Sequence, residues 1–193
     1  MGKENEVLVI SERGTDILPA IKKQIITYYH AYFPPQIWEG KDPEEWYEKD
    51  MKDPVRFVLL YDEAVISHAV VTTREIVHGD DLYQVAGLGG VLTREDCRGK
   101  GYGRKVVGKA MKYMRDQKRY DFGCLFCLPI NVRFYERCGW EVLHNDNILV
   151  GPNIDESHPH DDSEVMMIYL ISPKAKKNKQ SLTNSTLFVG PSW

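Results

Sequence analysis

The sequence predicts an α/β (α+β) fold in which a mixed β-sheet is flanked by helices. Three observations carry that prediction. Val55 to Tyr61 and Ala64 to Thr73 are strand-length apolar runs separated by Asp62-Glu63, a hairpin signal. From Gly101 to Lys118 the period becomes helical: Val106, Val107, Ala110, Met111 and Met114 share one face, and Lys105, Lys109, Lys112 and Arg115 occupy the rest. Phe122 to Leu128 then reads as a continuous apolar, buried strand.

The remaining elements follow in chain order. Val7-Leu8-Val9-Ile10 is expected as an opening strand, and Thr15 or Asp16 can cap a helix in which Ile17, Ile21 and Ile25 recur at four-residue spacing. Pro34-Pro35 ends that helix, and a short polar helix is expected around Pro43 to Met51. His78-Gly79-Asp80-Asp81 turns the chain into a strand from Leu82 to Thr93. Pro129 to Cys138 reads as a helix with proline in its first turn, followed by a strand after Gly139. Gly151 to Asp162 is expected as a polar loop and Val165 to Ile171 as a further strand. Lys174 to Lys179 has the composition of a basic linker, and Thr186 to Val189 that of a short returning strand. The domain reading is residues 1–173 as one domain and 174–193 as a linker and extension able to pack back on it.

At 193 residues, with 42% hydrophobic and 27% charged, the chain can fill one globular core. A net charge of -3 argues against bulk nucleic-acid binding. Met1 to Glu6 is polar and no apolar region of signal-peptide length follows it, and no stretch approaches membrane-spanning length. The expectation is a cytoplasmic protein with neither membrane nor nucleic acid as partner; the reading admits a homodimer. Cys124 and Cys127 have CxxC spacing, but residues three apart on a strand face opposite ways, so buried thiols are expected rather than a metal pair. His158, His160 and Asp161 lie in a polar loop and are likewise read as holding no metal.

Chemistry concentrates in Arg98-Gly99-Lys100-Gly101-Tyr102-Gly103. A strand running into a glycine-rich turn and then a helix is a phosphate-binding arrangement, because glycines admit the anion and the helix start offers free N–H groups. A Walker loop would open the helix with Gly-Lys-Ser/Thr, where this chain has Gly103-Arg104-Lys105. A Rossmann turn would place a glycine at Arg104, and an RNA-recognition strand would continue Phe-Val where Arg104-Lys105 stands. Taken by itself, such a connection can also bind nothing.

The flanking segments resemble the GNAT superfamily of acyl-CoA-dependent N-acetyltransferases. Arg98 to Gly103 matches its R/Q-x-x-G-x-G/A motif after the strand Val91-Leu92-Thr93. Phe134-Tyr135-Glu136-Arg137-Cys138-Gly139-Trp140 is similar to its second signature. Within the superfamily the chain looks most like aminoglycoside 2'-N-acetyltransferases, through Ile66 to Val71, Gly90 to Gly99, Pro159 to Asp162 and Trp193. That subgroup carries a Glu on the central strand where this chain has Gly89, so the resemblance supplies no base there.

The resemblance implies acetyl-CoA as cofactor and a mixed central sheet flanked by helices. It implies cofactor contacts from Val91, Leu92, Thr93, Arg98, Gly99, Lys100, Gly101, Tyr102, Gly103 and Arg104. Backbone N–H groups of Val91 to Thr93 would stabilise the oxyanion formed as an amine attacks the thioester. Tyr135 is the implied general acid toward the leaving thiolate. His68 is the candidate base, although a strand histidine more often serves structure; Glu75, Asp161 and a water chain are the others. Asp42 and Glu45, with Asp161, Asp162 and Trp193, would form a carboxylate-rich acceptor pocket. The function so implied is acetyl transfer to a primary amine of a small cationic molecule, aminoglycoside-like or polyamine-like. Peptide or protein acetylation, or acyl-CoA binding without turnover, are the alternatives.

Overall fold

A computed structural model describes residues 6–12, 17–34, 52–161 and 163–191. The polar helix expected around Pro43 to Met51 lies outside them. Among the described residues seven strands form one mixed sheet, in the order β1 (Glu6–Glu12), β2 (Val55–Tyr61), β3 (Ala64–His78), β4 (Asp81–Thr93), β5 (Phe122–Cys127), β9 (Val165–Leu170) and β6 (Glu141–Val142), and three short strands form a second, in the order β10 (Leu187–Phe188), β7 (Ile148–Val150) and β8 (His158–Pro159). The chain divides into two compact units, Met1–Thr72 with Gly90–Ala110, and Thr73–Gly89 with Met111–Trp193. The long strands β3 (Ala64–His78) and β4 (Asp81–Thr93) run through both.

In the first unit, β1 (Glu6–Glu12) pairs antiparallel with β2 (Val55–Tyr61), from Glu6↔Tyr61 to Glu12↔Val55. Asp62 and Glu63 both adopt left-handed backbone, φ +46° and +63°. This two-residue turn matches the twist of the strands and folds β2 onto β3. The register slips between Leu59 and Leu60, leaving Ile66 as the extra residue of a bulge. Helix α1 (Pro19–Tyr32) starts later than its expected caps: Leu18 is the N-cap, and Pro19 at the first helical position sets the start instead. It stops at Tyr32 because Phe33, preceding Pro34, is extended. Its Ile21, Ile25, Ile26 and Tyr29, with Ile17 ahead of the helix, pack on Val58, Val65 and Leu92. Each fully buried isoleucine contributes about 1.5–3 kcal/mol. Gln24 fixes the helix to the hairpin, accepting from Val65 N–H at 2.9 Å and donating to Glu63 C=O at 3.2 Å.

Helix α2 (Tyr102–Asp116) follows the predicted periodicity, with Val106, Val107, Ala110, Met111 and Met114 buried and the cations exposed.

In the second unit β3 continues past Thr73 to His78, since Ile76 and His78 keep alternating inward while Val77 faces out. Strand β4 pairs in parallel with β5 (Phe122–Cys127) over Val85–Gly87 against Phe122–Cys124. Strand β9 (Val165–Leu170) closes antiparallel on β5, and β6 (Glu141–Val142) on β9. The expected helix from Pro129 to Cys138 is shorter: a 3-10 turn over Pro129–Asn131 leads into α3 (Val132–Glu136). Gly139, at φ +98°, ends it with a backbone that disfavours any other residue. The expected polar loop is bracketed by β7 (Ile148–Val150) and contains β8 (His158–Pro159).

The basic segment read as a linker is helical. Helices α4 (Pro173–Lys177) and α5 (Lys179–Asn184) bury Ala175 and Leu182, while Ser172 caps α4 by accepting from Ala175 N–H at 3.1 Å. The final strand β10 (Leu187–Phe188) lies on β7, and Leu187 and Val189 join Ala175 and Leu182 in the core with Tyr83, Val85 and Phe122. Arg74 donates to the carbonyls of Val189 and Pro191. Cys97, Cys124 and Cys127 are buried free thiols, and Cys138 is half-buried. No helix among the described residues is long and apolar enough to cross a membrane.

Candidate functional site

The glycine loop hangs between two anchors. Strand β4 ends at Thr93, and a 3-10 turn over Glu95–Cys97 carries the chain into Arg98. Arg94 pairs with both oxygens of Asp96, at 2.6 and 2.9 Å, and that hydrogen bond holds the Asp96 carboxyl below the usual carboxylate range. Cys97 is buried with Leu59 and Ile66, and Tyr102 packs on the same cluster. Between these anchors Arg98, Gly99, Lys100 and Gly101 are exposed.

Gly99 and Gly101 stand at φ +76° and +87°. An L-residue pays about 1–2 kcal/mol there. A Cβ on either would meet nothing within 4 Å, so conformation rather than packing demands the glycines, and the space over them is open. Lys105 N–H to Gly101 C=O, at 3.0 Å, is the first bond of α2. The N–H groups from Gly101 to Arg104 therefore have no partner within the helix, and the positive end of its dipole lies there. Arg98, Lys100 and Arg104 add exposed cations. Arg98 is held in place: its Nε donates to Thr93 C=O at 3.2 Å, and its guanidinium carbon lies 5.0 Å from the Tyr32 ring centroid. The ligand this set fits is a phosphate-type anion.

Upstream, β4 is bent. Gly90 has φ +55° within the strand, and its carbonyl accepts from His68 Nδ1 at 2.9 Å. Ser67 Oγ donates to Leu92 C=O at 2.7 Å, and Arg94 N–H to Ile66 C=O at 2.8 Å. These contacts turn Leu92 and Arg94 toward β3. Alternate residues of a strand direct their backbone groups to opposite edges, so Val91 and Thr93 address the other one. Leu92 is buried, while Val91 and Thr93 are half-buried.

His68 is fully buried. Its bond to Gly90 fixes the proton on Nδ1 and leaves Nε2 as the basic nitrogen. Tyr29 Oη lies 3.2 Å from the same Nδ1, with the rings edge-on at 5.6 Å. The loop, the Val91–Thr93 segment and His68 all belong to the first unit.

Tyr135 and Asp161 belong to the second. Tyr135, on α3, is 8% exposed, and burial raises its hydroxyl pKa above the ordinary phenol value. Its carbonyl accepts from Cys138 N–H at 2.9 Å and Trp140 N–H at 3.1 Å, which fixes the residue against the Gly139 turn. Asp161 is exposed; it accepts from Ser163 N–H at 2.9 Å, which holds its carboxyl below the usual range. Beside it, His160 stacks on Phe126 at 4.2 Å and lies 3.9 Å from Glu164. Glu75 accepts from Gln84 Nε2 at 2.9 Å on the surface. Asp42, Glu45, Asp162 and Trp193, assigned to the acceptor, lie outside the described residues.

Sequence reasoning missed Tyr29, Tyr32, Ser67 and the bend at Gly90. The cluster Tyr28-Tyr29…Tyr32 near the end of an amphipathic helix was the available signal, and Gly89-Gly90 within a strand run was another.

The chain matches the Acetyltransferase (GNAT) domain family over residues 20–143. No curated protein matches the chain by sequence. Among solved structures, it is similar to Escherichia coli YhbS, a GNAT family N-acetyltransferase in complex with CoA: TM-score 0.64, 14% identity, covering 99% of this chain and 92% of that one. It is also similar to Escherichia coli ElaA (TM-score 0.58, 13% identity, covering 84% of this chain and 99% of that one). Arabidopsis thaliana NAA60, in complex with a bisubstrate analogue, gives the same TM-score of 0.58 at 13% identity, covering 86% of this chain and 99% of that one. These likenesses establish the fold, and the match spans most of the chain. The chain belongs to the GNAT acetyltransferase family: it is an N-acetyltransferase with acetyl-CoA as its acetyl donor.

Proposed function

We propose that this enzyme acetylates a primary amine on a small cationic acceptor, aminoglycoside-like or polyamine-like, and that Arg98 to Gly103 grips the donor's pyrophosphate. The observation that carries the donor half is the uncrowded, left-handed backbone at Gly99 and Gly101, immediately ahead of the N–H groups at the start of α2 that have no partner within the helix. No side chain crowds the glycines on that side.

Acetyl-CoA supplies a thioester carbonyl that an amine can attack. Arg98, Lys100, Arg104 and the N–H groups of Gly101 to Arg104 would hold its phosphates. Of the Val91, Leu92 and Thr93 segment, the alternation along β4 favours the N–H groups of Val91 and Thr93 as donors to it, since Leu92 and Arg94 make contacts toward β3. Support comes from the parallel ladder, which ends at Gly87↔Cys124 while β4 continues to Thr93. Such fixed donors stabilise negative charge developing on a carbonyl oxygen without reorganising.

Tyr135 is assigned as general acid. Burial keeps its hydroxyl protonated through neutral pH, the state from which a proton can be given to a departing thiolate. His68 is better suited to holding the Gly90 bend than to meeting an acceptor, because it is fully buried with Nδ1 committed to Gly90. Deprotonation of the amine then falls to one of the other candidates, Glu75, Asp161 or a water chain. For the acceptor, Asp161 is an exposed carboxylate held below the usual range; the sequence resemblance assigns Asp42, Glu45, Asp162 and Trp193 to the acceptor as well.

Thiol release from acetyl-CoA, followed across aminoglycosides, spermidine, amino acids and peptides, tests the acceptor class. Release with spermidine or an aminoglycoside is the expected result. Turnover confined to peptides would replace this acceptor with a peptide amine.

A further inference from the structure

We propose that Tyr32, the last residue of α1, is a positioning residue for coenzyme A binding: it aims the Arg98 guanidinium at the pyrophosphate. This rests on the reading of Arg98 to Gly103 as the pyrophosphate loop.

Tyr32 makes two contacts with that loop. Its hydroxyl accepts from Glu95 N–H at 3.2 Å, at the start of the 3-10 turn that leads into Arg98. Its ring receives the Arg98 guanidinium at 5.0 Å, within the range of a cation–π contact. The ring is itself steadied one helical turn back by Tyr28, stacked at 5.9 Å with 12° between planes.

Geometry then decides what Arg98 can do. Five donors sit in a planar fork on the guanidinium. Nε is spent on Thr93 C=O, at 3.2 Å. The guanidinium carbon rests against the Tyr32 ring, and among the described residues Nη1 and Nη2 carry no hydrogen bond. These two nitrogens form the edge suited to bidentate contact with phosphate oxygens. An arginine on an exposed loop would otherwise sample many rotamers and lose that freedom on binding. Tyr32 and Thr93 remove much of the freedom beforehand. The helix end that places Tyr32 is set by extended Phe33 before Pro34.

Calorimetric titration of the full-length protein with CoA measures this directly, without turnover. Arg98→Ala removes charge-assisted bonds to phosphate and is expected to weaken CoA binding about ten- to hundredfold. Tyr32→Leu removes the ring and the hydroxyl and is expected to weaken it about two- to fivefold. Tyr32→Phe keeps the ring and should bind more tightly than Tyr32→Leu. Tyr32→Trp, a stronger cation–π partner, should match or exceed the native protein, and it serves as the second probe where Tyr32→Leu folds poorly. Placed on Arg98→Ala, Tyr32→Leu should cost nothing further.

The outcomes separate the two readings. An Arg98→Ala protein that binds CoA like the native one sinks the pyrophosphate loop itself. A large Arg98→Ala effect with unchanged Tyr32→Leu affinity, or with additive losses in the double variant, sinks only Tyr32. Acetyl-pantetheine, which lacks the pyrophosphate, is the control donor: in Arg98→Ala and Tyr32→Leu the KM for acetyl-CoA should rise relative to that for acetyl-pantetheine, and a constant ratio would overturn the phosphate assignment.

Discussion

Gly101→Ala isolates the backbone geometry on which the donor site depends. An added Cβ would meet nothing within 4 Å, so no steric clash enters the calculation. What remains is the cost of holding an L-residue at φ +87°, about 1–2 kcal/mol. The variant has two ways to bear it. If the loop keeps its native shape, the cost appears as lost stability, and Tm falls by about 2–8 °C for a chain of this size. If the loop relaxes, stability is kept, but the shape must be restored on binding, and the CoA Kd rises about five- to thirtyfold. The two effects trade against each other. Gly108→Ala is the matched control on the same helix, with nothing within 4 Å of its Cβ and no left-handed backbone. It should gain up to about 1 kcal/mol of helix propensity and bind CoA normally. Thermal unfolding and calorimetric titration of both variants complete the assay. Native Tm together with native CoA affinity in Gly101→Ala would mean that the left-handed turn carries neither the stability cost nor the donor site.

The remaining predictions concern the acid, the buried histidine and the thiols. Tyr135→Phe should lower kcat by about a hundredfold or more with little change in CoA affinity; unchanged turnover with every good acceptor would remove Tyr135 from the chemistry. His68→Gln should lower activity through the Gly90 bend while leaving the shape of the pH–rate profile unchanged; loss of an ionisation near pH 6–7 would instead make His68 a base. Burial raises the Cys127 thiol to about 11 from an ordinary 9.0, so the folded chain retains a proton that the unfolded chain releases. Stability from this group is fully present below pH 9 and declines as pH rises toward 11. Cys127→Ala should flatten the fall of Tm over that window, and an unaltered slope would contradict the assignment.

Local signals explain what the sequence made legible. The Asp62-Glu63 turn and the α2 stripe are each decided within a few residues, and the structure carries both; the glycines at 99 and 101 likewise stand where the backbone is left-handed. Where two local rules compete, the reading slipped. Thr15 and Asp16 look like caps, yet Pro19 at the first helical position sets the start of α1. The lysines from Lys174 to Lys179 mask Ala175 and Leu182, whose burial makes that segment helical rather than a linker. A three-residue strand such as Ile148–Val150 is too short for periodicity to mark. The rest is tertiary. Neither Tyr32 beside Arg98 nor His68 beneath the Gly90 carbonyl can be derived from spacing, because each contact joins segments that only folding brings together.

The measurement that bears most directly on the account is acceptor-dependent thiol release from acetyl-CoA, run in parallel on the native protein and Arg98→Ala. Release is expected with spermidine or an aminoglycoside, with a KM for acetyl-CoA about ten- to hundredfold higher in Arg98→Ala and no such difference with acetyl-pantetheine. Saturable CoA binding without release to any amine, or an Arg98→Ala enzyme with native KM for acetyl-CoA, would contradict it.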